Sequence, residues 1–538
     1  MRAQKSLACV ALYASLAATQ SIYADNQVPV VRDEDHVAAN FPEVAGVELY
    51  SPSFANPDTV PSGFANGTSG PTSEGTLDTF LHSLAAKHDW VSYHNTALHS
   101  EEGRSIPYVY LSSSQTPSTN TTSNKVRIWL QGGVHGNEPA GDQSLLALLG
   151  SLSNNATFAA SVLARADILV LPRYNPDGVA YFQRYLATGF DPNRDHTKLA
   201  RQQTRDIKQL MVSFAPHVGV DCHEYTATRG YGARGQWRLA QDGQFSAMKN
   251  LNIAAPIRAL AEGVFAPAIA AAMEGRGLRW APYVTVGDRE TDELVLEETT
   301  ADAKIGDTSV ALTQAVMFLF ETRGIGIADQ HWQRRVATGL TMLETVLRTV
   351  AERADEVLET VESAREDFIY GGGDIVVTDA AKETTVDWQF VDVDTGAVVD
   401  VPVTFMNTTP LEANITRARP EAYVFSRAWA DVAERLRVAG VEVQELRSSF
   451  KGEVEALNVT SAVLATSKYE GIARTTVTTE PIRKEVSFPP GAFWIDTKQK
   501  NIAHAFVTLE PEGIDSYATF NILPVNEGYE YPVYRFMG

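Results

Sequence analysis

Apolar residues in this chain gather into short runs separated by longer amphipathic stretches. The runs beginning at Val126, Ile168, Val218 and Val316 are each a few residues long and rich in branched and aromatic side chains. Runs of that kind suit strands buried on both faces. Between them, 142–152 and 195–212 place apolar residues at helical spacing, as 76–88 does earlier, and 103–110 predicts a further strand. Strands alternating with helices predict an α/β layer fold, with a mixed, largely parallel sheet flanked by helices.

Past the fourth run the pattern changes twice. From 330 to 368, Val336, Leu340, Leu343, Val346, Leu347 and Val350 recur at helical intervals, predicting a core-packing helix or pair of helices that closes the domain. Gly371-Gly372-Gly373 breaks that pattern. Beyond it, Val, Thr and aromatic runs predict strands at 383–393 and 503–509. Tyr423 to Phe425, an amphipathic 429–438 and Val441 to Val443 read as one β-α-β unit. The expected organisation is a first domain at 76–370 and a smaller α+β or mainly β accessory domain at 374–538. Residues 25–75, rich in Pro, Ser, Gly and Asn, predict an irregular extension or propeptide.

Composition narrows the setting. A chain of 538 residues with 44% hydrophobic content can bury more than one core, and a net charge of -21 argues against nucleic acid as a partner. Arg2 and Lys5 precede an apolar stretch at 7–18, and Ala24 offers a cleavage point, so 1–24 reads as an export signal. That stretch is too short to span a bilayer, and no transmembrane segment is expected. Sequons at Asn66, Asn120, Asn155, Asn407, Asn414 and Asn458 agree with a secreted, glycosylated protein. Cys9 would leave with the signal and Cys222 would stand alone, a small core residue rather than a nucleophile. Oligomeric state has no signal here.

The chemistry lies where the apolar runs end. His135 and Glu138 follow the first of them, three residues apart, and can ligate one metal ion together. Zinc accepts imidazole nitrogen and carboxylate oxygen, and a catalytic site takes three protein ligands and leaves one position for water. His223, closing the Val218 run, is the best candidate for the third, because ligands gather outside the carboxyl ends of parallel strands. Glu321 closes the Val316 run. It is either half of a salt bridge to a nearby arginine or a general base beside a water that the metal acidifies.

These motifs, in this order, resemble the zinc metallocarboxypeptidases of the carboxypeptidase A type. The likeness covers about 76–350 and rests on His135-Gly136-Asn137-Glu138, Asn175-Pro176-Asp177-Gly178, Asp191-Pro192-Asn193-Arg194, Asp221-Cys222-His223 and Glu321-Thr322-Arg323. The resemblance implies one Zn²⁺ per chain held by His135, Glu138 and His223, with Glu321 as the base. It implies that Asn193 and Arg194 bind the substrate's terminal carboxylate, which suits the two parallel hydrogen bonds a guanidinium offers. It implies that Asp191 orients the first zinc histidine, the alternative being a turn residue before Pro192. Arg184 is the nearest match to the family's oxyanion arginine, the alternative being a solvated surface arginine.

Two departures stand out. Asn137 replaces an arginine that many relatives carry, and no tyrosine between Val284 and Phe320 matches the family's substrate-capping tyrosine, Tyr283 being too far upstream to align without a gap. The family's pocket floor falls near Gly306 and Asp307, where Asp307 would favour basic terminal residues. The expected activity is thus a secreted zinc carboxypeptidase acting on peptide or protein C-termini. The departures keep open a related zinc amidohydrolase acting on modified amino acids or cell-wall peptides. A catalytically silent peptide-binding protein is the alternative of another class.

Overall fold

The computed structural model describes residues 29–113, 124–299 and 301–538, so the proposed signal at 1–24 and the sequon at Asn120 lie outside the described residues. Its centre is an eight-stranded sheet: β1 (Val91–His94), β2 (Tyr108–Leu111), β3 (Val126–Gly132), β4 (Ala166–Leu171), β5 (Val218–Thr226), β6 (Gly243–Ala247), β7 (Trp280–Ala281) and β8 (Val316–Ile325). In space the order is β1-β2-β4-β3-β5-β8-β6-β7. The four central strands β4, β3, β5 and β8 run parallel, and they are the four apolar runs of the sequence. Antiparallel pairings of β2 with β4 and of β6 with β8 make the sheet mixed.

Alternate residues of each central strand face opposite helical layers, which is why the runs are largely apolar. On β3, Trp129 meets Phe214 of the helix Gln202–Phe214, while Gly132 presses against Gly141 of the helix Pro139–Asn154. The amphipathic stretch after β8 is one helix, Trp332–Tyr370, interrupted only at Arg353, whose φ of -125° and ψ of 25° depart from helical values. The run Ala255–Gly275 is long and apolar enough to cross a membrane by length and composition, yet Ile257, Phe265, Ile269 and Met273 bury its apolar side in the core.

Three local expectations need correction. The helix expected from 195 starts at Gln202, because the Asp195 carboxylate accepts hydrogen bonds from Ala200 N and Arg201 N, both 2.9 Å, and holds the chain in a turn. The strand expected at 503–509 is the helix Ile502–Leu509, buried on nearly every side, so no polar face marks its period. The return strand expected at 441–443 is only Gln444–Glu445, and Phe493–Asp496 lies between it and Ala422–Phe425. The stretch 29–75 contains short helical turns and sends Val37, Phe41, Val44 and Phe64 into the core.

Two further sheets follow. A five-stranded sheet joins Trp237–Leu239, Val284–Asp288 and Val295–Glu298 to the long strands Asp374–Asp392 and Val398–Ala418, so strands from both sides of the Gly371 to Gly373 break share it. A six-stranded, largely antiparallel sheet contains a hairpin of Phe450–Tyr469 and Ile472–Phe488.

Candidate active site

The carboxyl ends of β3, β5 and β8 open onto one cleft of about 440 Å³. Register sets its centre: Glu321 on β8 pairs directly with His223 on β5, so both side chains leave the sheet from the same face. His135 and Glu138 come from the loop after β3. Gly136 lets that loop pass against the Asn175 to Gly178 turn; a Cβ there would sit 1.9 Å from Gly178 C. Two motifs distant in sequence are thus packed backbone to backbone.

His135, Glu138 and His223 converge and are all buried. His135 Nδ1 lies 2.8 Å from Glu138 Oε1, His223 Nδ1 lies 2.9 Å from Glu138 Oε2, and the two Nδ1 atoms are 3.1 Å apart. Ligands about 2.0–2.2 Å from one zinc ion subtend separations of this size. The outer nitrogens meet carboxylates instead, His135 Nε2 at 3.1 Å from Asp191 Oδ1 and His223 Nε2 at 3.2 Å from Asp221 Oδ1. Both rings therefore turn Nδ1 inward and keep Nε2 against an acid, the arrangement that orients metal-ligating histidines. The donor set fits a zinc ion. Burial pushes the Glu138 carboxyl up, but the two imidazoles outweigh burial and hold it ionised.

Asp191 has contacts that suit both roles considered for it. Oδ1 accepts from Asn193 N at 2.9 Å, shaping the turn, and the same atom faces His135. Oδ2 accepts from Arg184 Nε at 2.9 Å, and Arg184 Nη1 reaches Glu138 Oε1 at 3.3 Å. Arg184 is thus a cleft residue rather than a free surface arginine, and Asn175 helps place it by donating to Tyr185 O at 3.0 Å. Burial opposes the Asp191 charge, and Arg184 and His135 override it, keeping the carboxyl well below its usual range.

Glu321 takes no part in an ion pair, and its Oε2 has no hydrogen-bond partner among the described residues. The salt-bridge alternative fails. Burial pushes its carboxyl up, against the pull of His223 and with the help of Glu138, which is the setting of a proton acceptor rather than a permanent anion. Asn193 Oδ1 accepts from Gly306 N at 2.7 Å, which leaves its amide NH₂ for the cleft. Arg194 lines the cleft, donates to Asn193 O at 2.7 Å, and meets no carboxylate within ion-pair distance among the described residues. Asp307 also lines the cleft, and its Oδ2 has no hydrogen-bond partner there; burial, with Asp221 nearby, pushes its carboxyl up to about 7.

Both sequence departures change meaning in three dimensions. Asn137 lines a separate small cavity beside Val30 and Phe182 and does not face the cleft. Tyr283 does line the cleft, where burial and Glu321 keep its hydroxyl protonated and Arg194, Arg184 and Glu138 also act on it. The extra length between Tyr283 and Glu321 is largely the pair Val284–Asp288 and Val295–Glu298, which joins the five-stranded sheet and leaves both residues at one cleft. Sequence reasoning also missed Lys304, Tyr469 and Arg474 in the cleft wall, none of which carries a local motif.

Similarity to known proteins identifies the family. The family model described as zinc carboxypeptidase matches residues 77–239. Carboxypeptidase 2 of Trichophyton rubrum is 50% identical over 513 residues, covering 95% of each chain. Probable carboxypeptidase 2 of Arthroderma benhamiae is 48% identical, covering 98% of this chain and 99% of its own. A crystal structure of a metallo-carboxypeptidase from Burkholderia cenocepacia is similar with a TM-score of 0.39 at 15% identity, over 52% of this chain and 70% of that one. With half of its residues shared along nearly the full length of a carboxypeptidase, this chain belongs to the zinc carboxypeptidase family and is a metallocarboxypeptidase that hydrolyses peptides.

Proposed function

We propose that His135, Glu138 and His223 hold one Zn²⁺ per chain and that Glu321 is the general base of a C-terminal exopeptidase. When bound, zinc acidifies water and polarises the scissile carbonyl. Asp191 and Asp221 keep the two imidazoles turned inward. Arg194 and the free NH₂ of Asn193 receive the terminal carboxylate of a peptide or protein. Glu321 takes a proton from water at its unpartnered Oε2 and returns it to the departing amine. Arg184, held by Asp191, offers its guanidinium to the oxyanion, and such a donor contributes on the order of 100- to 1000-fold in rate.

The observation that carries this reading is a buried, unpaired Glu321 beside the donor trio, with an unneutralised Arg194 in the same cleft. Asp307, buried at the cleft wall with Oδ1 taken by Thr308 N and Oδ2 unpartnered among the described residues, supports selection of a basic terminal side chain. Export through a secretory route is supported by the 1–24 pattern and by the exposed sequon asparagines Asn66, Asn155 and Asn414. The test is a peptide-library digest read by mass spectrometry, with and without chelator, on wild type and Glu321→Gln. The expected result is removal of single terminal residues by wild type alone, abolished by chelator, with zinc retained in the variant. Internal cleavage, or undiminished turnover by the variant, refutes it.

A further inference from the structure

One wall of the cleft comes from far outside the part of the chain that carries the zinc-site motifs. Tyr469 and Arg474 belong to the hairpin Phe450–Tyr469 and Ile472–Phe488 of the six-stranded sheet, and they line the same cleft as His135, Glu321 and Arg194. The hairpin turns through two residues, Glu470 and Gly471, with φ of 49° and 78°. Positive φ at both central positions gives a tight turn that follows the strand twist, so the tip is a defined shape rather than a slack loop.

That tip is fastened to the catalytic machinery. Asp191 N donates to Glu470 Oε2 at 3.0 Å, so the residue that faces His135 and clamps Arg184 also anchors the hairpin. Two cations approach the Tyr469 ring, the Arg474 guanidinium 4.5 Å and Lys304 Nζ 6.0 Å from its centroid. Lys304 is fixed in turn, its Nζ 3.2 Å from Asp515 Oδ1 and its backbone N donating to Asp515 Oδ2 at 3.1 Å. Arg474 has no carboxylate within ion-pair distance among the described residues, so its packing on the ring is the restraint the structure gives it. Burial pushes the Tyr469 hydroxyl up while Arg194 and Lys304 pull it down, and the phenol is protonated at neutral pH.

We propose that Tyr469 is a substrate-binding residue: its ring and hydroxyl wall the side of the cleft where Arg194 takes the terminal carboxylate, which makes the C-terminal sheet part of the active site. The inference rests on the reading that Arg194 receives that carboxylate. A tyrosine held by an anchored hairpin confines the last residue of the substrate at little entropic cost, because the tip is already in place before binding.

The test compares full-length wild type with Tyr469→Ala, Tyr469→Phe and, as a control on an exposed position of the same hairpin, Lys468→Ala. Steady-state kcat and KM are measured on a blocked dipeptide with a free carboxylate, beside zinc content and thermal midpoint. Loss of a binding wall raises KM and spares kcat. Tyr469→Ala is expected to raise KM about tenfold or more, equivalent to about 1.4 kcal/mol, with kcat within about threefold and zinc content unchanged. Tyr469→Phe recovers most of the KM, and Lys468→Ala changes neither constant. An unchanged KM in Tyr469→Ala overturns the inference. So does a joint fall of kcat, zinc content and thermal midpoint that Tyr469→Phe does not rescue, since that is the mark of a structural role. If Arg194→Ala treats free and amidated termini alike, the carboxylate reading itself fails, whatever Tyr469 does.

Discussion

Arg323 stands two residues after Glu321 on β8, and what fixes it also steadies the proposed base. It is buried, 3% exposed, and donates to Asp33 through Nη1 at 2.6 Å and Nη2 at 2.7 Å. Nη2 also reaches Ala227 O at 2.9 Å, and the guanidinium lies 4.1 Å above the Phe41 ring. Asp33 and Phe41 both belong to the stretch read as an extension or propeptide. Asp33→Ala would strand the arginine with one carbonyl and a ring face. Removing one partner of a buried pair costs about 3–5 kcal/mol, because the remaining charge is left uncompensated. The expected outcome is a loss of that size in a denaturant titration at pH 7, read from the midpoint at constant m-value.

The pH dependence has a definite sign. Burial pushes the Asp33 carboxyl up, but Arg323 and His331 outweigh it and hold it well below the ordinary carboxylate range. A depressed acid contributes stability that is fully present above its unfolded value of about 3.9 and is lost as pH falls through the folded value. The gap between wild type and Asp33→Ala should therefore stay open from pH 7 to about 5 and close only in stronger acid. The double variant Asp33→Leu, Arg323→Met should recover much of the loss, since an apolar pair replaces the ionic one. A gap under about 1 kcal/mol at pH 7, the level of an exposed pair, would refute the reasoning. Release of 25–75 as a propeptide would expose Arg323 in the same way, so these numbers also bound that idea.

Other outcomes follow from the cleft. Arg194→Ala should lower kcat/KM on substrates with a free terminal carboxylate by roughly 100-fold, the scale of a desolvated charge-assisted pair, while amidated substrates change little; equal losses on both would dismiss the carboxylate role. Asp191→Ala frees the His135 ring and should weaken zinc binding by about 10- to 100-fold, measured by competition with a chelating dye, and an unchanged affinity would show that Asp191 only shapes the turn. For Asp307→Asn, the ratio of kcat/KM on terminal lysine to that on terminal leucine should fall about tenfold, the worth of one charged hydrogen bond; a constant ratio places Asp307 outside selectivity.

Much of this was legible in the order of residues. The four apolar runs became the four parallel strands, and His135, Glu138 and Glu321, which follow or close such runs, line one cleft, with His223 in the same donor cluster as the first two. The misreadings came from segments whose burial has no period, such as Ile502–Leu509, where nearly every residue is covered and neither helical nor strand alternation remains. A residue's distance along the chain misled in the same way. Tyr283 lies too far before Glu321 in sequence to align without a gap, yet the intervening strands pair into another sheet and leave both at one cleft.

What the amino-acid order determined by itself was local: which segments bury both faces, where they end, and which ligand types stand at those ends. These follow from hydrophobicity and from the chemistry of single side chains, which need no partner to be recognised. What only the tertiary structure decided was company. Register placed Glu321 beside His223, packing brought Arg184 to Glu138, Asp33 closed on Arg323 across 290 positions, and Tyr469 arrived from a separate sheet. Such pairings are set by the closure of long loops around a shared core, and a long-range contact leaves no mark on the residues next to it in the chain.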